Sequence, residues 1–358
     1  MPKARTIGAL WRNAAAGASS RPPYLAERDG TWVEVSWPEA ARRVDNLANG
    51  LLALGVKKGD AFSIFASTTL EWCLFDFALG LIGAIGAPVY ANSSARDAAY
   101  VLGHSEAIGV LVEDDEQWAT IESVQDELPK LRHLLAFAEL PQFEDRGREH
   151  AAAHPEALAD AEAAVDEEDL FTYIYTSGTT GPPKGCMIRH RNYYEMAAVV
   201  DKMPKRFVGP DDTLLLYLPL AHNYGRLIHL QARYVGYTLA LCSDPARVQR
   251  DILFQTGLVA EERCDLWSPA SAPVPFLLLV SQDELASLGN APGIRVVQDY
   301  RYLPATALTL EGLFRRYPAR GLALIANFPT DDPVAVTRAR RDKKSGLREA
   351  QPDGPTEP

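Results

Sequence analysis

Between Ser36 and about residue 250, short apolar runs of strand length alternate with segments of helical periodicity. This alternation is the strongest constraint on what the chain can fold into. Ser36-Trp37-Pro38-Glu39 reads as a capping box with proline at the start of a helix. Val44, Leu47, Leu51 and Leu54 follow at helical spacing, and Gly55 stops the helix. The pattern then predicts a strand at Ala61–Ala66, a helix over Leu70–Ile82 and a strand at Ile85–Tyr90. A helix at Ala95–Leu102, a strand at Ile108–Val112, a helix over Glu116–Leu128 and a strand at His133–Phe137 continue it. Strands separated by helices pair in parallel, because a parallel connection must cross over a face of the sheet. The expected fold class is α/β, with parallel sheets flanked by helices.

Residues 144–169 interrupt the rhythm with a run rich in Ala, Glu and Asp, which reads as a solvated helix or connector. His150 and His154 lie four apart there, but no carboxylate completes a metalloprotease pattern around them. The alternation resumes with a strand at Leu170–Tyr175, a Gly/Thr-rich loop at 176–185 and a return strand at Cys186–Ile188. A helix at Asn192–Val200, a strand at Thr213–Leu218, a helix beginning near Pro219 and a strand at Thr238–Cys242 follow. Beyond residue 250 proline density roughly doubles, with 11 of the 25 prolines in the last 108 residues. Phe276–Val280 and Leu322–Ile325 are the strand candidates there, and residues near 345–358 read as disordered.

The charge balance narrows the partners. A formal charge of -11 argues against a nucleic-acid-binding body, which needs a basic face to displace counterions. The cluster Arg338, Arg340, Arg341, Lys343 and Lys344 reads as a solvated tail, with contact to nucleic acid or to anionic lipid at a membrane surface as the alternative. The four cysteines show no C-x-x-C spacing and suggest neither a disulfide framework nor a zinc site. The N-terminus lacks the apolar core of a signal peptide, and the apolar run Leu74–Ala91 is broken by Asp76, glycines and Pro88. A reducing, cytoplasmic compartment is expected.

The most informative stretch is Tyr175-Thr-Ser-Gly-Thr-Thr-Gly-Pro-Pro-Lys-Gly185. Gly178, Gly181 and Gly185 let backbone approach a ligand without interference from Cβ. Thr176, Ser177, Thr179 and Thr180 bring hydroxyl donors, and Lys184 brings one positive charge. Such a set suits the distributed negative charge of a polyphosphate. It is not a Walker A loop, because Lys184 stands between Pro183 and Gly185 with no Ser or Thr following. On composition alone, a glycine-proline hairpin with incidental threonines remains open.

Ten consecutive positions, Thr176 to Gly185, resemble the phosphate-binding signature of the adenylate-forming superfamily of acyl- and aryl-CoA synthetases, luciferases and peptide-synthetase adenylation domains. Leu218-Pro-Leu-Ala-His-Asn-Tyr-Gly-Arg226 is similar to a segment of its long-chain fatty-acyl-CoA synthetases. Glu71-Trp72, the Gly83–Tyr90 strand, Ser93-Ser94 and His190-Arg-Asn192 fit the same branch. The resemblance covers approximately residues 5–250. It implies an incomplete N-terminal domain of the adenylate-forming fold over 1–250, with 251–358 an unassigned, divergent tail. It further implies ATP, Mg²⁺ and CoA as cofactors or co-substrates, a fatty acid as substrate, and no identifiable protein partner. By resemblance the loop holds the β- and γ-phosphates of ATP, Thr176 lies near the magnesium ion, Lys184 neutralises departing pyrophosphate, and His222 stands beside the acyl carboxylate. The residue-level alternative for His222 is a histidine satisfied near a helix start. His229, on the same helix face, is expected to pack.

The sequence also departs from the family. It contains no Tyr-Gly-x-Thr-Glu run, no Gly-Asp element placed for the ribose hydroxyls and no recognisable hinge or acyl-adenylate lysine. Val274–Val280 and Asp299–Tyr302 stand nearest by position and match neither. An acyl-CoA ligase and a catalytically inactive, phosphate-binding or interaction protein are therefore both open.

Overall fold

Most of the longer helices open on a side chain that accepts a free amide of the first turn: Ser36, Thr69, Ser94, Asp114 and His222 do so. In the computed structural model Thr6 accepts from the Ala9 amide and opens α1 (Ile7–Ala15). The structure describes residues 4–17, 20–28, 31–176, 182–202 and 208–244, together with three strands at 277–281, 295–299 and 322–326. The expectation of disorder at 345–358 and the basic cluster at 338–344 lie outside the described residues. The chain divides into two units, Met1–Val248 and Gln249–Pro358.

In the first unit α1 is followed by β1 (Tyr24–Arg28), β2 (Thr31–Val35), α2 (Trp37–Ala53), β3 (Ala61–Ala66) and α3 (Leu70–Ile82). Next come β4 (Ile85–Gly86), β5 (Val89–Tyr90), α4 (Ala95–His104), β6 (Gly109–Val112), α5 (Asp115–Glu122) and β7 (His133–Ala136). The remainder is α6 (Leu140–Ala153), α7 (Ala157–Ala163), β8 (Leu170–Thr176), β9 (Lys184–Arg189), α8 (His190–Ala197), β10 (Thr213–Leu216), α9 (Asn223–Val235) and β11 (Thr238–Leu241).

The larger sheet runs β7-β6-β3-β4-β8-β9, with β5 also paired to β3. All its pairings are parallel except β8–β9, the hairpin that encloses the Gly/Thr-rich loop. The central strand β3 is buried at all six positions, as a parallel strand covered on both faces must be. Phe62, Ile64 and Ala66 enter the core shared with α1, α2, α3, α8 and α9. Ala61 and Phe65 enter the second core, with Ala98, Val101 and Leu102 of α4 and Ile121 of α5. The period of two on one strand thus separates the two helical layers. A smaller sheet, β10-β11-β1-β2, joins parallel pairs β10–β11 and β1–β11 to the antiparallel hairpin β1–β2. The second unit contains an antiparallel sheet in the order β12-β14-β13, where β12 is Leu277–Ser281, β13 is Arg295–Asp299 and β14 is Leu322–Ala326.

Four expectations need correction. The strand at Ile85–Tyr90 is two short strands, because Pro88 has no amide to continue the ladder. The helix over Glu116–Leu128 ends at Glu122 and gives way to a 3-10 turn, and the helix expected near Pro219 starts at Asn223. Residues 144–169 are not merely a solvated connector. α6 buries Phe143, Glu144 and Gly147 against α2, where Arg43 donates to Glu144 at 2.8 Å. The contact is backbone-close, since a Cβ on Gly147 would stand 1.8 Å from the Asn46 carbonyl oxygen. Gly147→Ala is therefore expected to force the helices apart and cost about 1–3 kcal/mol. Urea unfolding followed by circular dichroism measures it, and an unchanged midpoint would contradict this packing.

Candidate functional site

In an open parallel sheet, ligands collect beyond the carboxyl ends of the strands, where loops and helix N-termini converge. β8 delivers Thr176 to that edge. The β8–β9 ladder returns the chain in register, placing Tyr175 opposite Gly185 and Thr176 opposite Lys184. Both Thr176 and Lys184 are exposed, and Lys184 makes no ion pair among the described residues. Ser177, Gly178, Thr179, Thr180 and Gly181, the rest of the sequence-derived phosphate set, lie outside the described residues.

The segment carrying His222 reaches the same edge by a different route. β3 ends at Ala66, and Thr68 just beyond it donates to the Leu218 carbonyl at 2.8 Å. The chain then turns at Pro219 to Ala221 into α9, whose N-cap is His222. His222 Nδ1 accepts from the Tyr224 amide at 3.2 Å, so the ring meets a helix-start amide, the local role that the sequence left open. The ring is exposed. Gly225 makes the turn possible, because a Cβ there would lie 2.5 Å from the Pro219 carbonyl oxygen. Asn223 accepts from the Tyr193 hydroxyl at 2.8 Å, tying α9 to α8.

One turn into α9, Arg226 is wholly buried and paired with Asp76 of α3, which is also wholly buried. Its Nε donates to Asp76 Oδ2 at 3.1 Å, and Nη2 donates to Oδ1. Nη1 donates to the Thr172 hydroxyl, which in turn donates to the Gly86 carbonyl at 2.6 Å. The guanidinium lies 4.5 Å from the Phe171 ring centroid and 5.3 Å from that of Trp72. Burial pushes the Asp76 carboxyl up, and the Arg226 charge pulls against it. This group fastens the helix that carries His222 to the strand that carries Thr176. The sequence reading quoted Arg226 as the end of a motif but missed Asp76 as its partner; an acid within the apolar helix Leu70–Ile82 was the available signal.

Two further histidines are buried near this region. His190 Nδ1 accepts from the Ile7 amide at 3.2 Å, and burial pulls its pKa down to about 4. His229 packs as expected, 4.8 Å from the Phe77 ring centroid, but both of its ring nitrogens lack a partner among the described residues. Burial and the neighbouring Arg233 and Arg226 hold it well below the usual histidine range. The rings of His150 and His154 lie 4.8 Å apart at a tilt of 44°, and His150 meets Asn49 at 3.3 Å.

Among the described residues no three His, Cys, Asp or Glu side chains gather into a metal cluster. Thr176 supplies one hard oxygen, so the donor set fits Mg²⁺ only as an ion carried in on a polyphosphate. No described helix is long and apolar enough to cross a membrane.

The sequence model of a family described as "AMP-binding enzyme" matches residues 11–304, which runs past the limit near 250 expected from motifs. The long-chain-fatty-acid–CoA ligase FadD15 of Mycobacterium tuberculosis is 36% identical over 218 residues, 60% of this chain and 36% of that protein. Fatty acyl-CoA synthetase A of Dictyostelium discoideum is 31% identical over 218 residues, 58% of this chain and 32% of that protein. The chain thus spans about a third of the length of the curated relatives it matches. Among solved structures, the N-terminal domain of FACL13 from Mycobacterium tuberculosis aligns with a TM-score of 0.60 at 21% identity, over 70% of this chain and 61% of that one. A long-chain-fatty-acid-CoA ligase (FadD1) from Archaeoglobus fulgidus aligns with a TM-score of 0.61 at 18% identity, over 72% and 51% of the two chains. At these identities the likeness establishes the fold.

Proposed function

The chain belongs to the AMP-binding enzyme family, and from that premise we propose that it binds the polyphosphate of ATP at the β8–β9 hairpin for activation of a fatty acid. The observation that carries this reading is the register that sets Thr176 opposite Lys184 at the carboxyl end of β8. A hydroxyl and an ammonium facing each other across a hairpin offer one neutral and one charged donor to neighbouring phosphate oxygens. In the proposed reaction a fatty carboxylate attacks the α-phosphorus, and the bond to the bridging oxygen of pyrophosphate breaks. CoA thiolate then displaces AMP to give the thioester. Lys184 holds the departing pyrophosphate, Thr176 positions the phosphates, and His222 orients the acyl carboxylate from the start of α9. Ser177, Gly178, Thr179, Thr180, Gly181 and Gly185 complete the phosphate contacts in this proposal. A Mg²⁺ ion, when present on ATP, supplies charge neutralisation that these residues alone do not.

A second reading, a phosphate-binding protein without turnover, is favoured by the lack of a Tyr-Gly-x-Thr-Glu run and of a ribose-binding Gly-Asp element in this sequence. Pyrophosphate release with ATP and palmitate separates the two, with release above a no-enzyme control required by the first.

Both readings share one expected result. Affinity should rise from AMP to ATP, differ little between ATP and GTP, and fall with added salt. Lys184→Ala removes the only cation between Thr176 and Gly185. A charged hydrogen bond at an exposed position is worth the lower end of its range, so binding should weaken about tenfold. Calorimetric titration measures this, and equal affinity of the variant would place nucleotide binding elsewhere.

A further inference from the structure

The hairpin that presents Thr176 and Lys184 is gripped from one side by α4. Tyr100 and His104 lie four residues apart on that helix and so share a face. The Tyr100 hydroxyl donates to the Pro183 carbonyl at 2.8 Å, on the returning side of the hairpin. His104 Nδ1 and the Tyr175 hydroxyl are 2.9 Å apart, on the departing side. The three rings pack on one another: Tyr100 stacks on His104 with centroids 5.5 Å apart, and Tyr175 stands edge-on to both at 6.3 and 5.6 Å. A Cβ on Gly185 would come within 3.3 Å of the Tyr175 ring, so the returning strand lies directly over it.

Each contact falls one residue from the pair that faces the ligand. Tyr175 precedes Thr176, and Pro183 precedes Lys184. α4 itself is well anchored: Ser94 caps it by accepting from the Asp97 amide, and Ala98, Val101 and Leu102 are buried in the second core. β9, by contrast, ends its sheet and is mostly exposed, so its own packing does little to fix it. Burial pushes the Tyr175 phenol up to about 12, which keeps its proton in place.

We propose that Tyr100 and His104 are positioning residues: by holding Tyr175 and Pro183 they keep Thr176 opposed to Lys184, and so set the affinity for a polyphosphate. The affinity clause rests on the phosphate-binding reading above, whereas the clamp itself rests on the hydrogen bonds and ring contacts. Neither residue touches the ligand in this proposal. The carboxyl end of the hairpin is held from an independent helix, and a side chain more than seventy positions away from Tyr175 and Pro183 becomes part of the site's geometry.

The test uses the full chain and the variants Tyr100→Phe, His104→Leu and His104→Asn. The first removes one hydroxyl, the second removes the nitrogen that meets Tyr175, and the third returns a polar atom at the place of Nδ1. Amide hydrogen exchange of the β9 backbone is measured alongside calorimetric titration with ATP and with inorganic pyrophosphate. Tyr100→Phe and His104→Leu should each speed exchange at Gly185 to Met187 and weaken both ligands about three- to tenfold, the scale of one neutral hydrogen bond. His104→Asn should restore most of both, and amides of β3 and β6 should exchange unchanged in every variant, which a general loss of stability would not allow. Unchanged exchange in β9 overturns the clamp, as does weaker binding with unchanged exchange, the pattern of a direct ligand contact. Should the unaltered chain bind neither ATP nor pyrophosphate, the phosphate-binding reading fails while the exchange data still decide the clamp.

Discussion

Arg226→Met is expected to lower the free energy of unfolding by about 3–5 kcal/mol, because it leaves the Asp76 carboxylate buried without its counter-charge. Asp76, Thr172, Phe171 and Trp72 enclose the guanidinium with no solvent access. The fork serves two acceptors at once, Asp76 and Thr172. Asp76→Leu should cost a similar amount, by stranding the arginine instead. The double variant, Asp76→Leu with Arg226→Met, removes both charges and should recover most of the loss, since apolar side chains of similar volume suit a dry interior. Urea denaturation of the four proteins at neutral pH closes this cycle. A double variant as unstable as the sum of the singles would show that the pair does not act as a unit. Recovered stability without recovered ATP affinity would place the pair's value in orienting α9.

Acid should destabilise the fold through its buried histidines. His190 is buried, accepts a backbone amide through Nδ1 and has its pKa drawn down to about 4. His229 is shifted in the same direction by burial and by Arg233 and Arg226. An unfolded histidine titrates near 6.5. Between these values the unfolded chain binds more protons than the folded one, so stability is complete above about 6.5 and is lost as pH falls. From about pH 7.5 to about pH 5, His190 alone accounts for roughly 2 kcal/mol, and His229 adds loss of the same sign. Denaturation midpoints measured across this range should fall steadily, and His190→Gln should flatten the slope. A midpoint independent of pH between these limits would mean that both rings are solvated.

The parts of the fold that were legible in the sequence are those whose signals are local. α3 begins and ends where expected because Thr69 caps it and Gly83 adopts a left-handed turn, φ 69°, at its end. β3 was visible because parallel strands buried on both faces are apolar throughout. β1 and β2 were missed, although Asp29-Gly30 between two runs of strand-forming residues is a hairpin signal. What makes them a sheet is β11, which no local pattern around Tyr24 discloses. Pro88 splitting β4 from β5 was equally readable and was outweighed by the apolar run around it.

The candidate site divides in the same way. Lys184, Thr176 and His222 stood out because glycines, threonines and a Pro-Leu-Ala-His run are local composition. Their supports did not, because Asp76 and Arg226 are 150 positions apart, and Tyr100 and Pro183 are 83. The helix expected at Ala95–Leu102 stopped short of His104, so its common face with Tyr100 was not seen either.

The small sheet imposes an order on synthesis. Thr238 donates to the Pro22 carbonyl across 216 positions, and β11 lies between β1 and β10. A nascent chain therefore exposes the β1–β2 hairpin, with one edge unsatisfied, for nearly the whole time that the larger sheet is being made. Two-stranded ribbons are marginal alone, so Tyr24 and Val35 have no lasting burial until α9 and β11 emerge. The β1–β2 hairpin is made long before the strand that locks it. In a vectorially folding chain it is the segment that a holdase chaperone or a protease would meet for longest.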